Sequence, residues 1–150
     1  MPEKHIPVTG GCLCGEVRYE ITESPIDGGC CHCDQCKRAW GGFFSAMLKF
    51  NKPAFKLSNG ELKYYYLSLA RRGFCNNCGA GIVFMFDEDK IWVALGTLDH
   101  PGDWPFDTKG WYGHDRVEEK VSWYEIRDGL IQNQGSTENH DDSKMCKDKD

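Results

Sequence analysis

Eight of the nine cysteines fall in three tight clusters, Cys12-Leu13-Cys14, Cys30-Cys31-His32-Cys33-Asp34-Gln35-Cys36 and Cys75-Asn76-Asn77-Cys78. Thiols one or two residues apart can grip a single tetrahedral ion, and zinc is the usual occupant of all-sulfur sites. Spacings this short suit disulfides poorly, because bridged Cα atoms must lie within a narrow distance window. The clusters therefore predict a fold pinned at two points by metal. The ninth cysteine, Cys146, stands alone in a polar stretch and reads as incidental.

Around these pins the residues alternate in the manner of short strands. Val17, Tyr19 and Ile21 alternate with Glu16, Arg18 and Glu20, and Phe44, Ala46, Leu48 and Phe50 repeat the pattern. Leu62 to Leu67 holds three consecutive tyrosines, and the apolar runs Ile82–Phe86 and Ile91–Leu95 flank Asp87–Lys90 as a hairpin. Helix is scarce: one turn from Asp34 to Trp40 is predicted, with Asp34 as its cap and Gly41-Gly42 as its stop. The expected class is mainly β, in short antiparallel strands with little helix. A chain of 150 residues reads as one domain over 1–131, followed by a disordered polar tail over 132–150.

The cysteines divide unevenly. Side chains two apart in an extended segment share a face, so Cys12 and Cys14 converge. With Cys75 and Cys78 they make a closed four-sulfur site, which is structural. By the same reasoning Cys31 and Cys33 face one way while Cys30 and His32 face the other, and Cys36 completes a three-sulfur arc. Three protein ligands and an exchangeable fourth position form a catalytic arrangement for zinc. The alternative is a second structural site closed by His32, or by His100 or His114. A zinc already carrying three thiolates favours a soft incoming ligand, and a bound thiol becomes the nucleophilic thiolate. Such chemistry points to attack of a thiol on a small carbonyl compound, or its reverse.

Composition narrows the partners. A formal net charge of −5 disfavours nucleic acid and anionic membranes. No apolar run approaches the ~20 residues that span a bilayer, and no export signal precedes Gly10, so clustered free thiols point to a reducing cytoplasm.

Four stretches resemble the glutathione-dependent formaldehyde-activating enzyme family, whose domain also occurs in centromere protein V. They are Gly11-Cys-Leu-Cys-Gly15 with Val17-Arg18-Tyr19, Cys31-His-Cys-Asp-Gln-Cys-Lys-Arg38, Arg72-Gly-Phe-Cys-Asn-Asn-Cys-Gly79 and Gly96-Thr-Leu-Asp99. The resemblance implies a β-tent fold with two zincs. One would be structural, on Cys12, Cys14, Cys75 and Cys78, and one would sit in an active site, on the catalytic candidates Cys31, Cys33 and Cys36. It also implies a carbon–sulfur lyase activity, the condensation of glutathione with formaldehyde to S-(hydroxymethyl)glutathione. The extra Cys30 departs from the pattern, and few motifs align after Asp99.

Glutathione carries two carboxylates, which an acidic protein must meet with local cations. Arg38 and Arg72, with Arg71, are the binding candidates, and Trp40, Phe43 and Phe44 are candidate pocket walls. Asp99 reads as a turn or cap residue rather than a base. Two other functions stay open: a zinc-stapled interaction module without catalysis, and a thiol redox protein built on the CxxC pairs. The redox reading needs a βαβ context that the strand pattern lacks.

Overall fold

In the computed structural model, which describes residues 5–105 and 111–136, the chain is mainly β. Strands β1 (Val8–Gly11), β2 (Arg18–Ile21) and β5 (Phe55–Asn59) form a three-stranded antiparallel sheet in the order β1-β2-β5. A seven-stranded sheet runs β10-β3-β4-β9-β8-β7-β6. Its strands are β3 (Asp27–Cys31), β4 (Ser45–Asn51), β6 (Leu62–Leu67), β7 (Ala70–Cys75), β8 (Gly81–Met85), β9 (Lys90–Ala94) and β10 (Gly113–Asp115). All its pairings are antiparallel except β10 on β3, a parallel pair that departs from the expected pattern.

The two sheets share one core. Val8, Tyr19 and Ile21 from the small sheet pack with Leu48, Phe50, Ile82 and Val93 from the large one. Each such side chain contributes about 1.5–3 kcal/mol on leaving water. The contact is fastened at the end of β9 by the Gly96–Asp99 stretch. Tyr19 Oη lies 2.8 Å from Thr97 Oγ1, and Thr97 Oγ1 donates to the Ala94 carbonyl at 2.7 Å. Arg18 Nη1 donates to Asp99 Oδ1 at 3.0 Å, and Thr9 Oγ1 donates to Asp99 Oδ2 at 2.7 Å. Asp99 is thus a clamp between sheets.

The β8–β9 hairpin closes on Asp87, whose Oδ1 accepts from the backbone N–H groups of Asp89 and Lys90, both at 2.9 Å. Strand β3 has a less legible origin. Asp27-Gly-Gly lacks the apolar alternation of the other strands, yet it is extended between β10 and β4. The ring of Tyr112 lies where a Gly29 side chain would be, 2.4 Å from an ideal Cβ. Beyond β10, the first residues of the expected tail, 132–136, lie within the described chain. Asn133 N–H donates to the His114 carbonyl at 2.7 Å, and Arg116 N–H to that of Gly135 at 2.8 Å. Residues 137–150, with Cys146, lie outside the described residues. No helix among the described residues is long and apolar enough to cross a membrane.

Candidate metal centres and ligand cavities

Strand β1 stops at Gly11, and Cys12 to Gly15 form a turn in which the Cys12 N–H donates to the Val17 carbonyl at 3.0 Å. Cys12 and Cys14 therefore converge through a turn, not through the strand alternation expected for them. Leu13 projects into solvent and Gly15 takes φ 85°, a conformation that favours glycine. The partner loop follows β7, where Gly79 N–H donates to the Cys75 carbonyl at 2.8 Å and Cys75 N–H to that of Ala80 at 2.9 Å. These two knuckles bring the Sγ atoms of Cys12, Cys14, Cys75 and Cys78 within 4.8 Å of one another. Cys12 and Cys14 Sγ are 3.5 Å apart, and Cys14 and Cys75 Sγ 3.8 Å. A tetrahedron with ~2.3 Å zinc–sulfur bonds has edges of about 3.8 Å, so the spacing fits zinc. The backbone N–H of Ala80, then that of Cys14, pulls the Cys78 thiol down to about 6. Backbone donors aimed at sulfur favour the ligating thiolate.

The second cluster gathers at the junction of β3 and helix α1 (Asp34–Trp40). Cys31 ends β3, Cys33 caps the helix with its Sγ 3.3 Å from the Cys36 N–H, and Cys36 lies in the first turn. The cap is Cys33, where the sequence pointed to Asp34. Asp34 instead sits inside the first turn, its carboxylate accepting from Arg38 Nε at 3.0 Å. The helix ends as expected at Gly41, with φ 76°. The three Sγ atoms of Cys31, Cys33 and Cys36 lie within 4.8 Å of one another. The thiol of Cys33, then that of Cys36 and burial, push Cys31 well above the usual range. Cys36 is pushed up to about 12 by Cys33 and by burial, against the opposing pull of its contact with Cys31.

Among the described residues, no fourth His, Cys, Asp or Glu joins this group. Cys30 is buried elsewhere, and burial pushes its thiol up to about 12. His32 Nε2 lies 2.8 Å from His114 Nδ1, and His114 Nε2 lies 2.7 Å from Asp128 Oδ2. Burial, then His114, pushes the fully buried His32 down to about 4. His100 stacks on His5 with ring centroids 3.7 Å apart. The three histidines considered as closing ligands are thus engaged with other groups.

One cavity borders the three-thiol cluster, and a second shares two of its walls. The smaller, about 70 Å³, is lined by Cys31 and Cys36 together with Ser45, Arg72, Trp92 and Arg116. The larger is a groove of about 670 Å³ lined by Asp34, Arg38, Tyr65, Phe74 and Gly81. Trp40 and Arg72 line both. Trp40 lies over Gly81, where an ideal Cβ would fall 2.3 Å from its ring. Arg72 is held over the Phe84 ring at 5.1 Å and donates through Nη2 to Gln35 Oε1 at 3.4 Å.

The family model for the glutathione-dependent formaldehyde-activating enzyme matches residues 7–114. The chain belongs to this family. No curated protein sequence matches it. Among solved structures, a Rhodobacter sphaeroides crystal structure from a structural-genomics programme is similar in fold, with a TM-score of 0.54. It is 22% identical and the match covers 71% of this chain and 98% of that one.

Against this family background, the candidates drawn from the sequence sort clearly. The two cysteine groupings come together, and Arg38, Arg72 and Trp40 meet at one groove. Arg71 turns away, donating to the Asp87 carbonyl at 2.9 Å and pairing with Glu88 at 3.0 Å. Phe43 and Phe44 do not line the cavities. Phe43 packs on Trp123 and Tyr124, and Phe44 on His32. Tyr65, Phe74 and Trp92 were missed as walls. The odd residues of the tyrosine run share a face in any strand, a signal that could have singled out Tyr65.

Proposed function

We propose that the chain condenses a thiol, glutathione by family, with formaldehyde or another small aldehyde, forming the carbon–sulfur bond of S-(hydroxymethyl)glutathione or its analogue. The observation carrying this reading is the three-thiol cluster bordering a small cavity that shares two walls with a larger groove. In this reading Cys12, Cys14, Cys75 and Cys78 hold a structural zinc, and Cys31, Cys33 and Cys36 hold a zinc in the active site. A zinc there would supply a soft Lewis-acidic position at which a thiol is kept as thiolate near neutral pH.

The remaining work falls to the chain itself. Arg38 and Arg72 offer guanidinium groups to the carboxylates of a peptide thiol in the groove. Trp40, fixed over Gly81, aligns that thiol toward the small cavity. Trp92 and Phe84 line the cavity with apolar surface, which excludes water and strengthens the electrostatics inside. As the sulfur attacks the carbonyl carbon, the thiol proton ends on the former carbonyl oxygen. A reducing compartment such as the cytoplasm keeps the clustered thiols free to ligate.

Zinc content and the rate of product formation over the spontaneous reaction test this. Two zincs per chain are expected, with a rate above background that falls to background in Cys33→Ser. A wild-type rate equal to the uncatalysed mixture refutes the proposal.

A further inference from the structure

We propose that the small cavity beside Cys31 and Cys36 is a carboxylate-recognising subsite, and that the electrophile it takes is an aldehyde acid, with the carbonyl carbon bonded directly to a carboxylate. This rests on the thiol–carbonyl reading above and names its second substrate class.

The cavity offers a guanidinium that formaldehyde, with no charge, would leave unused. A water-sized occupant needs roughly 10–15 Å³ of such space. The cavity of about 70 Å³ therefore has room for more than a single water-sized group beside the sulfurs. Arg72 and Arg116 both line it, and of the two Arg116 is paired with Glu119 at 3.9 Å, which leaves Arg72 as the cation for a ligand. The Nε–H of Arg72 is buried and has no hydrogen-bond partner among the described residues. Its guanidinium is held over Phe84 and tied to Gln35, so that donor is fixed in place without being spent. Asp115, the acid on the same wall, accepts from Asn133 Nδ2 at 3.1 Å. A planar guanidinium among apolar walls matches a carboxylate in shape and charge. With the carboxylate at Arg72, an adjoining carbonyl carbon lies in the same cavity as the sulfurs of Cys31 and Cys36.

The step balances without an oxidant or reductant. The thiol sulfur bonds to the carbonyl carbon, the C=O π pair moves to oxygen, and the thiol proton joins that oxygen. The carboxylate is unchanged throughout.

Glyoxylate and its neutral counterpart acetaldehyde test the subsite. Trp40 and Trp92 line the cavity, so binding is read by tryptophan fluorescence on the zinc-loaded protein. Saturable glyoxylate binding is expected, weakened at least tenfold in Arg72→Gln and less in Arg72→Lys, with thermal midpoints confirming that both variants fold. At fixed glutathione, the ratio of kcat/KM for glyoxylate over acetaldehyde should fall tenfold or more in Arg72→Gln. Whatever Arg72 contributes to the thiol affects both aldehydes and cancels in that ratio. No saturable binding to the wild type, or an unchanged ratio, overturns the subsite. If neither aldehyde is turned over, the proposed function fails, and the binding titration alone decides the subsite.

Discussion

A methyl group at position 81 reports on how the groove is built. An ideal Cβ on Gly81 falls 2.3 Å from Trp40 Cζ3, whereas ordinary contact begins at 3.4 Å. In Gly81→Ala the ring must therefore retreat by the difference, about 1.1 Å. Overpacking of this kind costs about 1–3 kcal/mol of stability. Because Trp40 lines both cavities, a displacement near 1 Å also lowers turnover by up to ~100-fold. Urea unfolding of a double-mutant cycle isolates the contact. Gly81→Ala should cost about 1–3 kcal/mol in the wild type and under ~0.5 kcal/mol in a Trp40→Leu background. Gly96→Ala, where no atom lies within 4 Å of the added carbon, serves as the neutral control. Equal costs of Gly81→Ala in both backgrounds would show that Trp40 is not seated on Gly81.

Other expectations separate the two metal centres and test the clamp between sheets. Cys75→Ser should lose one zinc and several kcal/mol of stability, while Cys33→Ser loses the other zinc and activity with a smaller drop in thermal midpoint; equal drops would deny the division of roles. The Arg18 guanidinium holds the Asp99 carboxyl at about 2, below the ~3.9 of an unfolded chain. That contribution is thus present above pH ~4 and lost as pH falls through about 2. At a carboxylate 35% exposed, solvent screening leaves about 1 kcal/mol. Asp99→Asn should flatten acid unfolding in that window, and an unchanged acid profile would deny the clamp. Tyr19→Phe, which removes the hydrogen bond to Thr97, should cost about 1 kcal/mol in chemical denaturation; no change would mean that this bond does not fasten the sheets.

The cysteine groupings were legible because ligand spacing is a local property that survives whatever backbone carries it. The geometry assigned to Cys12 and Cys14 was a strand and proved to be a turn, yet both shapes aim residues two apart at one point. Helix α1 was legible to the residue, since Gly41 in the left-handed region fixes its end. Its cap was not: Asp34 has the stronger capping preference, but Cys33 occupies the extended position before the first turn. The hairpin after β8 announced itself through Asp87. Strand β3 did not, because Gly28 and Gly29 become extended only under the rings of Trp111 and Tyr112, more than eighty residues away in sequence. The cavity walls suffered the same limit. Phe43 and Phe44 adjoin the helix in sequence but pack toward the 123–124 segment, while Tyr65 reaches the groove from the sheet edge.

Strand β7 ends on Cys75 and carries Arg72 three residues earlier, so one short rod joins the outer sulfur cluster to the inner cavity. Cys14, in that outer cluster, is open to solvent. Cys33, in the inner cluster, is fully buried, so the strand that carries Arg72 is anchored at its far end by the more accessible of the two sulfur clusters.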